Sequence, residues 1–427
     1  MNERATAEEF LLQDFAADVA SRPASRPSWL DERRRRAVQN FREEGVPNRR
    51  IEQWKYTDLR GALEAQSAAV LAGPVLHSDG NPFAAISAFQ LSISNGCLQE
   101  PSSQIPLEIE LFDLGRLDDE APNWVRQNFG EALSRNTMGE ASLGMMRGGI
   151  AMRVTAATTT PVHLDFLQNA DAVHCRLLLV MEPGASLVLL ESHGKSRGLI
   201  NLGVELVLEP NAQLIHVRLA DSAPDAVQVE EVAMRVSRDA RYRGHFSHKG
   251  ARLSRLELAI ALEGEGAEAE LSGASVLGGK LHADVTTHID HTAGKTASRQ
   301  LFKNVAGGNS RAVYQGKITV RKGADGSDSR QTAKAILLGA HAEADLKPEL
   351  EILADDVKCA HGAAIGDLDS DSLFYLRSRS LPEDEARRLL IHGFLEEAIL
   401  EIERDDVRLA VRDFLESGLA QALESGS

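Results

Sequence analysis

The stretches Glu182-Pro183-Gly184-Ala185-Ser186-Leu187-Val188-Leu189 and Glu209-Pro210-Asn211-Ala212-Gln213-Leu214-Ile215-His216 each read as a tight turn running into an alternating strand, and their alanines lie 27 residues apart. Weaker copies follow. Arg238-Asp239-Ala240-Arg241-Tyr242 sets its alanine 28 residues further on, and Glu265-Gly266-Ala267-Glu268-Ala269 another 27. Repeats of this size mark solenoids or propellers, in which a unit cannot bury its apolar face until a neighbour stacks on it. The unit is too short for a four-stranded propeller blade, and its strand content disfavours helical repeats. It fits one coil of a parallel β-helix. The hexapeptide period of left-handed helices is absent, which selects the right-handed form. An ordinary sandwich with similar turns is the alternative.

Helical patterns flank this region. Thr6 with Glu9 makes a capping box ahead of Leu11, Phe15 and Val19, and residues 21–28, rich in Ser, Arg and Pro, then break the pattern. Trp29, Leu30, Ala37, Val38 and Phe41 outline a second apolar stripe, with Arg33 to Arg36 read as a solvated face and Gly45 and Pro47 as stop signals. At the other end, Pro382 with Glu383, Asp384 and Glu385 suits a first helical turn. Ala386, Leu389, Leu390, Phe394, Glu397 and Ala398 then trace one face, apolar except for Glu397. A last helix from Asp405 to Leu423 carries Val407, Val411, Phe414, Leu415 and Leu419. The expected organisation is mainly β: an N-terminal helical region over 1–65, an irregular connecting region over 66–149, the β-helix core over 150–380 and a C-terminal helical domain over 381–427. The terminal pair can cap the solenoid or present a docking face.

Composition narrows the function. At 427 residues the chain exceeds the size at which one compact core stops growing, so several domains or a repeat architecture are expected. Apolar residues make up 43% but aromatic ones 5%, which suits a core of Val, Leu, Ile and Ala. A formal net charge of -16 disfavours nucleic-acid binding, which rests on phosphate neutralisation by Lys and Arg. No run approaches the roughly 20 apolar residues of a membrane span, and Met1-Asn2-Glu3-Arg4 lacks the profile of a signal peptide. A cytoplasmic protein without membrane partners is expected. Cys97, Cys175 and Cys359 are far apart and make no C-x-x-C, against both a disulfide framework and a self-contained cluster site.

Within this background Lys358-Cys359-Ala360-His361-Gly362-Ala363-Ala364-Ile365-Gly366 is the candidate site. On a strand Cys359 and His361 leave the same face, offering one sulfur and one nitrogen to iron or zinc. Two ligands do not close a tetrahedral site, so the others must come from elsewhere, such as a second chain. Other groups read as structural. His288 and Asp290 share a face but His291 takes the opposite one, and His245 and His248 are likewise opposed. Cys175 beside His174 reads as half core and half surface. Trp54, Lys55 and Tyr56 are expected to anchor the N-terminal region to the β-helix rather than to bind a ligand.

Three runs carry a resemblance: Ser298-Arg299-Gln300-Leu301-Phe302-Lys303; the stretch from Lys347-Pro348-Glu349-Leu350 to Lys358-Cys359-Ala360-His361-Gly362; and Leu373-Phe374-Tyr375-Leu376-Arg377-Ser378-Arg379. In order and spacing they resemble the SufD branch of the SufB/SufD family of the SUF iron–sulfur cluster assembly system. Glu52-Gln53-Trp54-Lys55-Tyr56-Thr57 is similar to that family's N-terminal signature. The resemblance implies a β-helix flanked by helical domains and a SufB-like paralogue as partner. It also implies a SufC-like ABC ATPase docked on the C-terminal helical domain. The chain has no G-x-x-x-x-G-K-[ST] loop, so nucleotide chemistry would belong to that partner and the chain itself is expected not to be an enzyme. A SufB-like chain should carry a cysteine after the glutamine of Arg330-Gln331-Thr332, and none is present. The family's asparagines in the 331–339 strand are here Ala333 and Ala335. By position His361 is the family histidine implied to share a transient Fe–S cluster with the paralogue's cysteine, while Cys359 stays open between ligand and core residue.

The leading expectation is therefore a non-catalytic scaffold subunit, able to pair with itself when its partner is missing and holding no tightly bound cofactor. No G-x-G-x-x-G fingerprint supports a flavin or dinucleotide. A purely structural partner that never touches iron is one rival. A β-helix polysaccharide-active enzyme is the other, disfavoured by the low aromatic content.

Overall fold

The structure, a computed structural model, describes Leu11 and residues 28–67, 80–116, 121–130, 136–168 and 172–424. The first expected helix lies outside these residues except for Leu11, which is helical and buried. From Gly148 onward strands alternate between two sheets, one of ten strands ending in Lys358–Gly366 and one of nine ending in Glu343–Ile352. Pairing is parallel throughout except at the N-terminal end, where Phe89–Ser94 meets Cys97–Leu98 and Ile109–Asp113 meets Gly148–Val154 antiparallel. The architecture is a parallel β-helix.

The sequence repeat is the coil itself. Ser186 pairs with Gln213, Gln213 with Arg241 and Arg241 with Glu268, so each repeat stacks in register on the one before. Ala185, Ala212, Ala240 and Ala267 each stand just before a strand of the ten-stranded sheet and are fully buried. The residue ahead of each alanine turns the chain through positive φ: Gly184, Asn211, Asp239 and Gly266 at 74°, 63°, 56° and 75°. Gly, Asn and Asp tolerate that region best. One step later in the stack the small corner residue becomes Thr296 and then Ser327, bonded Oγ1 to Oγ at 2.9 Å.

Alternation along each strand divides the protein. One set of side chains points into the coil, where Leu187, Leu189, Leu214 and Tyr242 meet Leu202, Val204, Leu206, Val232 and Met234 of the opposite sheet. The other set faces outward and is covered by helices. Helices α1 (Ser28–Glu44), α2 (Leu59–Ser67), α3 (Asn123–Asn128) and α4 (Thr137–Gly144) precede or interrupt the first strands. They seat Val38, Phe41, Leu59 and Met138 on Leu199, Val227, Val229 and Leu253 of the nine-stranded sheet, and Leu30 and Phe129 on Leu178 and Val207. Helices α5 (Ser370–Ser378), α6 (Glu383–Ile399) and α7 (Asp405–Glu424) follow the last strand. From α6 and α7, Ile391, Leu395, Val411, Leu415 and Leu419 cover Leu190, Val217, Val276 and Val305 on the outer face of the ten-stranded sheet. Each such side chain contributes on the order of 1.5–3 kcal/mol by leaving water. No helix among the described residues is long and apolar enough to cross a membrane.

Three details depart from the expected pattern. The arginine run is not wholly solvated, because Arg34 is buried and donates from Nε and Nη2 to the Gly144 carbonyl at 3.0 and 2.8 Å, closing the end of α4. Helix α6 buries Ala386, Ile391, Leu395, Ala398 and Ile399 and leaves Leu389 51% exposed, so it is rotated from the expected stripe. Glu397 owes its place to a buried cation: Lys303 reaches it at 2.5 Å while lying 4.4 Å from the Phe394 ring centroid. His174 is buried rather than half at the surface, held by the Asn201 amide at 3.0 Å.

Two predictions follow from this packing. A Cβ at Gly307 would lie 2.1 Å from the Ala422 carbonyl oxygen in α7. Gly307→Ala should lift the end of α7, read by hydrogen exchange as lost protection over 405–424 with the strands unchanged; full protection there would refute the close approach. The second concerns acid. Burial holds His174, His245 and His248 down at about 3, helped by the Arg147 charge at His174 and the Arg218 charge at His248. An unfolded imidazole takes its proton near about 6.5. Between these values the unfolded state binds more protons, so stability falls as pH falls, by about 1.4 kcal/mol per pH unit per histidine. Urea midpoints should drop from pH 6.5 to pH 4. His245→Gln, which keeps a polar group beside Ser247 and Ser272, should make that slope shallower; an unchanged slope would mean that His245 protonates within the fold.

Candidate functional site

The candidate site lies where the stacking stops. Cys359, His361, Ala363 and Ile365 pair in register with Ser329, Gln331, Ala333 and Ala335 of the preceding coil. Those four partners are inward-facing and no more than 3% exposed. Among the described residues no coil stacks on Lys358–Gly366 or Glu343–Ile352, so the same positions on the last coil are open: His361 is exposed and Ile365 is 48% exposed. The free edges of both strands also present unpaired backbone groups, a template for another chain.

Within this end the two candidate ligands differ. Cys359 is half-buried against Ile318, Val320 and Ala324. Burial pushes its thiol up, and the Asp328 charge adds to that, which disfavours the thiolate in the chain alone. The His361 side chain makes no hydrogen bond among the described residues. The two share a face, as the strand spacing requires, and form an incomplete donor set of one nitrogen and one sulfur.

Behind them the interior of the β-helix changes character. In the first coils it is mainly aliphatic, interrupted by one buried ionic group around Glu191; in the last coils it is polar and largely uncharged. Ser329 bonds Ser298 at 2.6 Å, and His291 lies 2.9 Å from Ser298 and 2.7 Å from Thr296. Gln331 donates from Nε2 to the Tyr314 hydroxyl at 3.0 Å, and Tyr314 donates to the Gln300 Oε1 at 3.1 Å.

The remaining candidates do not converge on a site. His288 bonds Thr319 at 3.2 Å and Asp290 pairs with Arg321 at 2.8 Å on the outer face, whereas His291 turns inward. His245 is held between Ser272 and Ser247, both at 2.8 Å. Cys175 is buried in the aliphatic interior, its thiol pushed up to about 12 by burial. Trp54 is buried under the Arg255 guanidinium, 4.1 Å from the ring centroid, and Thr57 donates to Asp284 at 2.5 Å. The Trp54 to Thr57 segment thus clamps the N-terminal region to the β-helix.

One cluster escaped the sequence reading. Glu191, His193, His216, Arg218 and Glu230 lie together inside the coil, and single donor atoms of Glu191, His193 and Glu230 fall within 4.8 Å of one another. Arg218 supplies the positive charge there, 2.5 Å from Glu230 and 3.5 Å from Glu191. Burial alone would push the Glu191 carboxyl up, but the charge and hydrogen bond of His193 and the hydrogen bond of His216 hold it well below the usual range. Burial pushes Glu230 up despite Arg218. The signal was available: these residues occupy the same alternation as Leu187, Leu189 and Leu214.

A second exposed surface lies on the helices that follow the last strand. On α5 and α6, Tyr375 and Leu389 are 56% and 51% exposed and line a groove with Asp371, Leu376 and Leu390, and Phe374, the residue before Tyr375, is 74% exposed. Such a cluster of large apolar side chains on paired helices suits a protein partner.

Comparison with known proteins agrees with this architecture. The model of the SUF system FeS cluster assembly SufBD core domain matches residues 166–394, and that of the SufBD protein N-terminal region matches residues 6–79. The chain is 28% identical over 382 residues to an iron–sulfur cluster assembly SufBD family protein of Synechocystis sp., covering 84% of each chain. It is 28% identical over 381 residues to the iron–sulfur cluster assembly protein SufD of Escherichia coli, covering 86% of this chain and 88% of that one. Protein ABCI7, chloroplastic, of Arabidopsis thaliana is 31% identical over 245 residues, 56% of this chain and 51% of that one. With the core model spanning more than half of its length, the chain belongs to the SufBD family of iron–sulfur cluster assembly proteins and is a homologue of SufD.

Proposed function

We propose that this chain is a non-catalytic scaffold subunit that pairs through the open end of its β-helix with a SufB-like paralogue and helps to build a nascent Fe–S cluster at their interface. The observation that carries the reading is the uncapped last coil, which presents two free strand edges, bare apolar positions and His361 together. A paralogous β-helix would continue the stacking and bury Ile352, Leu353 and Ile365. A second copy of this chain would cover the same end when the paralogue is missing.

Iron and sulfide are the cargo, and His361 is the ligand this chain contributes. A neutral imidazole is a borderline-soft donor, and a thiolate from the paralogue would complete the set. Donors split between two chains suit a cluster that must later leave. Cys359 is the secondary candidate, disfavoured by its packing and raised thiol. ATP hydrolysis would reside in a SufC-like subunit seated on the Phe374, Tyr375 and Leu389 surface of the C-terminal helices.

Two experiments test this reading. With the SufB-like and SufC-like partners co-expressed anaerobically, His361→Ala should abolish most iron and sulfide binding while the complex still assembles, whereas Cys359→Ala should lose far less. Full cluster loading in His361→Ala would leave the chain a structural partner only. Phe374→Asp should weaken capture of the ATPase about tenfold or more without loosening the pairing with the paralogue, as expected for an aromatic anchor worth about 1.4 kcal/mol or more. Unchanged ATPase capture would move that docking surface elsewhere.

A further inference from the structure

We infer that Gln331 is the positioning residue for His361: its side-chain carbonyl accepts the hydrogen of whichever imidazole nitrogen does not face the metal. The inference rests on the reading of His361 as a ligand and names what would hold that ligand in place. A metal-bound histidine needs its second ring nitrogen fixed by an acceptor, which selects the tautomer and the ring orientation. His361 has no acceptor on its own strand in the chain alone. Its neighbour in the stack does supply one.

Gln331 pairs directly with His361 in the parallel register, so the two side chains leave adjacent strands, about 4.8 Å apart, on the same inward-facing side. Gln331 is 1% exposed, and its Oε1 is buried without a partner among the described residues. Such an atom costs about 1–3 kcal/mol unless something comes to meet it. The orientation of the amide is set from behind. Tyr314 has one hydroxyl hydrogen and gives it to the Gln300 Oε1, so toward Gln331 the hydroxyl can only accept, and it takes the Nε2 hydrogen. That leaves the carbonyl end of Gln331 free.

The protein also keeps space for this amide. A Cβ built on Gly316 would fall 1.6 Å from the Gln331 Nε2 and 2.7 Å from the Tyr314 hydroxyl. A glycine on the opposite sheet therefore leaves room for the two groups that aim Gln331. Once a partner covers the open end, water leaves His361, and the Gln331 carbonyl is the buried acceptor in the adjacent position.

The test compares Gln331→Met, Gln331→Glu, Gly316→Ala and His361→Ala in the full chain assembled with its partners. Two properties are followed: the half-life of the cluster under chelator challenge, and the histidine nitrogen coupling in pulsed EPR of the reduced cluster. Gln331→Met keeps the length and loses the acceptor, so cluster loss should quicken about tenfold or more and the nitrogen coupling should shift. Gln331→Glu keeps an acceptor for His361 but loses the hydrogen given to Tyr314, so it should recover part, not all, of both properties relative to Gln331→Met. Gly316→Ala, which crowds the amide without removing it, should fall between, and it carries the test if Gln331→Met fails to assemble. Wild-type half-life and coupling in Gln331→Met would overturn the inference, as would equal losses in Gln331→Met and Gln331→Glu, which would assign packing alone. If His361→Ala itself keeps its cluster, the ligand reading fails first, and that result is distinct from a normal Gln331→Met beside a defective His361→Ala.

Discussion

In-register parallel stacking is the constraint on which the rest of this molecule depends. Because each coil places its inward side chains directly over those of the coil before, a residue inside the solenoid is buried by its successor and not by its own repeat. Ala185, Ala212, Ala240 and Ala267 show the local form of this rule, one small corner residue under the next. The global form is that the stack has two ends, and each needs a solution. At the N-terminal end short antiparallel strands close it. At the C-terminal end the helices turn back along the outer face of the ten-stranded sheet instead of crossing the opening, and His361 stands in what is left uncovered.

The same constraint governs charge. A polar residue at an inward position cannot reach solvent, so it must find its partner one coil away or across the interior. Glu191, His216, Arg218 and Glu230 do so as a buried ionic group, although Arg218 Nε and both Glu230 oxygens lack a hydrogen bond, and on the outer face Arg176 with Glu205 does so beneath the N-terminal helices at 2.6 Å. Removing one member of such a pair costs about 3–5 kcal/mol, since its partner is left buried and uncompensated. Toward the open end the polar interior is of another kind. Ser298, Ser329, Gln300, Gln331 and Tyr314 carry hydroxyls and amides with little fixed charge, and spare groups remain at Gln300 Nε2 and Gln331 Oε1. This largely uncharged network lies directly behind His361 in the stack.

The helical layers show how a β-helix gains separate faces. The N-terminal helices cover the nine-stranded sheet and are locked to it by Trp54 over Arg255 and Thr57 on Asp284. The C-terminal helices cover the ten-stranded sheet and are held by Lys303 with Glu397 and by the close contact of Gly307 with α7. Both layers spend their apolar faces on the solenoid. Phe374, Tyr375 and Leu389 are left exposed on α5 and α6.

The sequence by itself determined the coil, because a turn that needs positive φ, a small corner residue and an alternating strand recur together at 27 to 28 residues, and that combination has few other solutions. It also determined that Cys359 and His361 leave one face, since alternation is a property of the strand alone. Period and alternation are local quantities and survive in one dimension. Which face of α6 turns inward is not local: its apolar residues lie on both sides, and contact with Val217 and Val276 chose Ile391 and Leu395 over Leu389. Arg34 looked solvated in a run of four arginines until the end of α4 came to meet it. The Glu191 and Arg218 group, drawn from strands a coil apart, and the pairing of Gln331 with His361 likewise exist only once the register is set. Tertiary structure decided those points because a partner distant in sequence leaves no mark on the residues beside the one it meets.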